Sequence, residues 1–138
     1  MSAPALLGTL ETALYAADLT AAARFYGGIL GLAEIARQDG RHVFYSLGQS
    51  VLLIFNPEAT GTPPSPEARF QVPPHGSAGP GHFCFSVASH MLEAWRAHLL
   101  ASDIAIEADF CWPNGARSIY VRDPAGNSIE FAEPALWF

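Results

Sequence analysis

The second half of this 138-residue chain restates the first, and that repeat constrains its fold more than any other feature. Phe44-Tyr45 leads through a turn to LLIFNP, and Ile119-Tyr120 leads through DPAGN to SIEFAEP. Each half reads as strand, helix and three strands. The expected fold is therefore α+β: two tandem βαβββ modules whose sheets curve into a cup, with helices on the outside. Sheets that each bury one face against their own helix leave the other face free to line a cavity.

The local signals support each module. Leu10–Ala16 is an apolar, β-compatible run that stops at Asp18, a residue with the chemistry of a helix N-cap. Ala22, Phe25, Tyr26, Ile29 and Leu30 recur at helical spacing, and Gly31 stands where a left-handed C-terminal cap belongs. Segments 33–37, 42–47 and 50–55 are separated by the turn dipeptides Asp39-Gly40 and Gly48-Gln49. In the second half, 82–88 reads as a strand. Ser89 is the expected cap of a helix carrying Leu92, Trp95 and Leu99, and 104–110, 117–122 and 128–133 supply three more strands. Module one spans about 8–56 and module two about 81–134. The Pro- and Gly-rich stretch at about 57–80 is a linker and candidate lid, with a short strand expected at 69–72.

Half the residues are apolar, enough to build a core in one domain without staples. The net charge of -6, with seven Lys plus Arg, argues against nucleic acid as a partner. The opening segment has no basic stretch before its apolar run and carries Glu11, so neither signal peptide nor membrane anchor is expected and a cytoplasmic location follows. Cys84 and Cys111 lack CxxC spacing and are expected to be reduced thiols. No GxSxG, P-loop or dinucleotide fingerprint is present.

Strand parity then sorts the side chains, because residues i and i+2 share a face. Leu10 and Leu14 are the expected core pair of the first strand, which puts Glu11, Ala13 and Tyr15 on the cavity side. Phe83, Phe85 and Val87 face the second helix, so His82, Cys84 and Ser86 face away from it. In the last strand Ile129 and Phe131 face the helix and Glu130 faces the cavity. Taken singly, an inward His is most often a hydrogen-bonded structural residue, Glu130 an edge carboxylate and Glu11 an arginine partner. Together, two carboxylates and an imidazole in one partly apolar cup call for a cation, since unpaired buried charge costs several kcal/mol. Glu11, His82 and Glu130 are thus the expected ligands of one divalent metal ion, in a three-ligand site with positions open to water or substrate.

Three segments, ETALYAADLTAAARFYGGILGL, GHFCFSV and RSIYVRDPAGNSIEFAEP, together resemble the vicinal oxygen chelate superfamily over nearly the whole chain. That superfamily includes glyoxalase I, extradiol dioxygenases and the metal-free bleomycin-resistance proteins. The resemblance maps the family's metal positions onto Glu11, His82 and Glu130. It maps the fourth onto Leu53, which cannot ligate, so the four-ligand site of glyoxalase I is incomplete. It also implies a small substrate chelating through neighbouring oxygens and a homodimer, and leaves open whether the site is formed within one chain or across the two. The reaction is left open between lyase or isomerase chemistry, dioxygenase chemistry and metal-free ligand sequestration. An extra carboxylate in place of a histidine leaves Fe, Mn, Ni, Co, Zn and Mg all in play.

Around this trio, Tyr120, Trp112, Phe44, Phe55, Leu53 and Cys84 are the candidate substrate wall, with Phe70 and Trp137 as further aromatics. Glu130, Tyr15 and the lid residue His75 are the candidate catalytic groups. His42, His90 and His98 are expected at the surface. Arg122 is expected to be solvated or to brace the DPAGN turn.

Overall fold

The computed structural model describes residues 2–138 and contains the expected repeat. In module one, β1 (Glu11–Tyr15), α1 (Leu19–Ala23), β2 (Ala33–Gln38), β3 (His42–Ser46) and β4 (Val51–Phe55) build a sheet in the order β1-β4-β3-β2. After α2 (Pro57–Thr60) and the rest of the linker, module two adds β5 (His82–Ser86), α3 (Leu92–Ala101), β6 (Ala108–Cys111), β7 (Arg117–Arg122) and β8 (Ser128–Ala132). Its sheet has the matching order β5-β8-β7-β6. In both sheets the first and last strands pair in parallel and the others antiparallel.

One apolar core joins the helix-facing sides of both modules. Leu14, Phe25, Tyr26, Leu52 and Ile54 from module one share it with Leu92, Leu99, Ile119, Ile129 and Phe131 from module two. Each fully buried side chain of this size contributes about 2 kcal/mol through removal of apolar surface from water. Polar clasps tie the modules together: the Tyr26 hydroxyl donates to Asp123 Oδ2 at 2.6 Å, and Asn127 donates to the Tyr15 carbonyl at 3.1 Å. Desolvation and the facing Asp123 carboxylate push the Tyr26 hydroxyl far above the ordinary tyrosine range, so it stays a proton donor.

Capping at the first helix follows the expectation: Asp18 accepts from the Ala21 amide at 2.9 Å, and Gly31 is left-handed at φ 73°. Between them the helix widens. From Arg24 to Ile29 it is a π-turn, with the Leu30 amide donating to the Phe25 carbonyl at 2.9 Å. The wider turn buries the consecutive rings of Phe25 and Tyr26 together, in edge-to-face contact at 4.9 Å. Gly27 and Gly28 occupy that turn with no side chains to resist it.

Several expectations are corrected. Leu10 precedes β1 and is 74% exposed, so Leu14 alone faces the core. No strand forms at 69–72, where the Gln71 side-chain amide instead donates to the carbonyls of Ser65 and Ala68, both at 2.9 Å, and folds the loop on itself. Ser89 begins a 3-10 turn, and its side chain makes no cap on α3. β6 starts at Ala108, because the Ile104 amide is still tied to the Leu99 carbonyl at the end of α3 and Asp103 turns the chain at φ 61°. α2 was not expected; Asn56 caps it by accepting from the Glu58 amide, and Pro57 opens it. Among the described residues no helix is long and apolar enough to cross a membrane.

Candidate functional site

The parity reading holds on module two. His82 and Cys84 are exposed on the face of the sheet away from α3, and Glu130 lies beside them on β8. Glu130 is 4% exposed, yet its carboxylate is well supplied. The Trp112 indole N–H donates to Ser118 Oγ at 2.8 Å, and the Ser118 hydroxyl donates to Glu130 Oε2 at 2.6 Å. This relay anchors one carboxylate oxygen and leaves the other, Oε1, directed at His82 Nε2 across 3.2 Å.

The imidazole is oriented from behind. His82 Nδ1 lies 3.0 Å from the Ser128 carbonyl oxygen, which can only accept, so Nδ1 carries a proton. In the neutral ring Nε2 is then a bare lone pair facing a carboxylate oxygen. Two acceptors at that separation need a proton or a metal cation between them. A carbonyl-backed histidine beside a tethered carboxylate is also the outer-shell arrangement of protein metal ligands. The donor set of this sheet therefore fits a divalent cation.

Neighbouring groups respond to the same carboxylate. Desolvation first, and then Glu130, push the Cys84 thiol up to about 12, which favours its protonated form. Burial and Glu130 likewise raise Tyr120, which lies over His82 with ring centroids 6.1 Å apart and stacks on Phe110.

On module one the open face is aromatic. The Tyr15 hydroxyl and His75 Nδ1 are 2.7 Å apart, so the linker histidine joins the first strand. His75 packs edge-on to Phe55 at 4.7 Å, Phe55 meets Phe44 at 5.3 Å, and His42 stacks on Phe44 at 4.0 Å. Leu53 lies on the same side of β4, in register with Phe44. His42 was expected at the surface; instead it is half-buried, its Nδ1 has no hydrogen-bond partner among the described residues, and burial lowers its affinity for a proton. Its strand-end position in the sequence hid this stacking.

Glu11 sits at the far end of β1, opposite Val51 and exposed. Four strand positions, about 13 Å, separate it from Tyr15. No strand of its sheet pairs with the sheet of His82 and Glu130, and among the described residues of one chain no three His, Cys, Asp or Glu side chains converge on a metal position. One chain thus brings together two of the three expected ligands.

Other expected residues have structural roles or lie apart. Phe70 and Trp137 are 68% and 82% exposed. Arg117 is held by Asp109 and Glu93, while Arg122 pairs with Glu107 and donates to the Gly126 carbonyl, bracing its turn as expected. His90 is exposed, and His98 Nε2 meets the Ile29 carbonyl at 2.7 Å, linking α3 to the first helix. A cleft of about 740 Å³ lies where the linker crosses between modules, but only Tyr15 of the expected site residues lines it. Sequence reasoning missed Ser118, whose signal was available: it shares the parity of Tyr120 on a strand next to Glu130.

The family model described as Glyoxalase/Bleomycin resistance protein/Dioxygenase superfamily matches residues 8–131. Among solved structures, a lactoylglutathione lyase from Agrobacterium tumefaciens is 40% identical, with 96% of this chain and 97% of that one covered and a TM-score of 0.89. A glyoxalase/dioxygenase from Nostoc punctiforme is similar at 23% identity and TM-score 0.64, covering 95% and 97% of the two chains, which is likeness of fold alone. No protein with a curated description matches the chain. The repeat, the matched strand order and these likenesses agree, and the chain belongs to the Glyoxalase/Bleomycin resistance protein/Dioxygenase superfamily.

Proposed function

We propose that this protein is a divalent-metal-dependent enzyme of glyoxalase type, acting on a small substrate that presents two neighbouring oxygens. The observation that carries the reading is the His82–Glu130 pair, His82 Nε2 and a carboxylate oxygen held 3.2 Å apart by supports on both sides. The third ligand in this reading is Glu11 from a second copy of the chain. A homodimer that lays the aromatic sheet of one chain over the donor sheet of the other would bring Glu11, His82 and Glu130 together and bury both exposed faces. Bound there, a divalent cation would act as a Lewis acid on a substrate oxygen.

The chain's own residues supply the rest. Ser118 and Trp112 keep Glu130 from turning away, so one oxygen stays available to the site. Tyr15 and His75 form a proton-holding pair at the edge of the aromatic face, suited to move a proton at the substrate. Phe44, Phe55, Leu53 and Tyr120 form the walls, with Trp112 and Cys84 beside Glu130. The likeness to a lactoylglutathione lyase supports lyase chemistry over dioxygenation, and lactoylglutathione is the first compound to assay. Protein purified without chelator should carry about one divalent ion per site. Metal-free protein that turns over lactoylglutathione normally would overturn the reading.

A second reading, a metal-free sequestering protein of the bleomycin-resistance kind, is favoured by Leu53 at the fourth metal position and by the aromatic face of module one. Thermal shifts separate the two, because a ligand that binds only the folded state stabilises it by mass action. Divalent ions should raise Tm for the enzyme. Aromatic ligands alone should do so for the binding protein.

A further inference from the structure

The basic residues of the chain are few, and their distribution is uneven. All seven are arginines, set against 13 Asp plus Glu. Arg37, Arg96, Arg117 and Arg122 are each bonded to carboxylates. Among the described residues Arg24, Arg41 and Arg69 are not, and two of these three, Arg41 and Arg69, line one cleft. That cleft has a volume of about 420 Å³, and Gln38, Thr60, Thr62 and Phe70 also contribute to it. No acidic residue lines it, although acids outnumber arginines nearly two to one in the chain.

The cleft is held in shape by its own bonds. Gln71 ties the 65–71 loop through the Ser65 and Ala68 carbonyls, and the Arg69 guanidinium lies 4.9 Å over the Phe70 ring. Arg41 is steadied by the Ala59 carbonyl at 3.4 Å. Thr60, 1% exposed, closes the floor. The Thr60 carbonyl accepts from the His75 amide at 2.9 Å, and Arg41 immediately precedes His42. The cleft therefore adjoins the aromatic face of module one.

We infer that this cleft binds an oxyanion, a carboxylate or phosphate on a small molecule whose remainder lies against the aromatic face. Two guanidiniums with no competing carboxylate suit such a group, because each offers planar N–H donors. For what the anion is attached to, the inference rests on the enzyme reading above. The anion site itself does not.

The test follows backbone amide NMR shifts during titration with inorganic phosphate and, separately, with succinate, at constant ionic strength. The expected result is saturable binding of at least one probe, with shifts confined to residues 38–41 and 60–72. R41Q and R69Q should weaken it at least tenfold, and R24Q, which removes the same charge elsewhere, should leave it unchanged. Among the described residues Arg69 donates no hydrogen bond, so R69Q keeps the test valid if R41Q folds poorly. Saturation by phosphate alone assigns a phosphate ester, and by succinate alone a carboxylate. Unsaturable drift, or equal loss in R24Q, overturns the proposal. The same titration on H82A separates the two claims: anion binding that survives while metal is absent keeps the cleft, and metal retention by the unsubstituted protein without anion binding removes only the cleft.

Discussion

The open faces of the two sheets share one register and differ in chemistry. Glu11 opposes Val51 as His82 opposes Ser128, so Leu53 occupies in module one the position of Glu130 in module two. By the same register Phe44 answers to Tyr120, and His42 to Ser118. In module two the buried carboxylate is sustained by the Ser118 hydroxyl. In module one the carboxylate is replaced by leucine, and His42, where a donor would stand, has an Nδ1 with nothing to bond. In module two the buried carboxylate has its donor on the next strand. Where the carboxylate is gone, the same position turns into aromatic wall.

The largest expected effect tests whether the two faces meet across chains. E11A and H82A homodimers should each lose their metal. Dimers formed by mixing them carry one intact site in every mixed pair, so coexpression should restore roughly a quarter of the wild-type metal and activity. No recovery at all would break the proposed pairing of faces. Next, S118A removes the tether on Glu130 and should weaken metal binding by about 10–100-fold, measured by competition with a chelator. An unchanged affinity would show that the relay from Trp112 is only structural.

A smaller effect, in the opposite direction, is expected from L53E, which restores to module one the carboxylate of module two. Metal should bind about tenfold tighter, while the metal-free protein melts lower because a carboxylate has been buried there. Equal affinity would place Leu53 outside the site. The smallest effect concerns Cys84. Its folded-state pKa is raised to about 12, so its protonated form is favoured by folding. The associated stability is present below the ordinary thiol range and is lost as pH rises from there toward 12. Near pH 8 iodoacetamide should alkylate Cys84 more slowly than Cys111. E130Q should speed that reaction only in part, burial being the larger cause.

The repeat, the succession of strand, helix and three strands along each half and the inward rank of His82, Cys84 and Glu130 were legible in the sequence. They depend on neighbours one to four residues apart: alternation in strands, 3.6-residue spacing in helices, and Asp, Gly and Pro at turns. The place of Leu53 on the open face of its strand was legible too. Contacts between distant segments were not. The Trp112–Ser118–Glu130 relay needs β7 and β8 in register, and the tie from Tyr15 to His75 spans 60 residues of chain. The separation of Glu11 from its two partners was decided at the same level. The helix-facing sides of both modules merge into one core, and among the described residues of one chain Glu11 is not brought to His82 and Glu130.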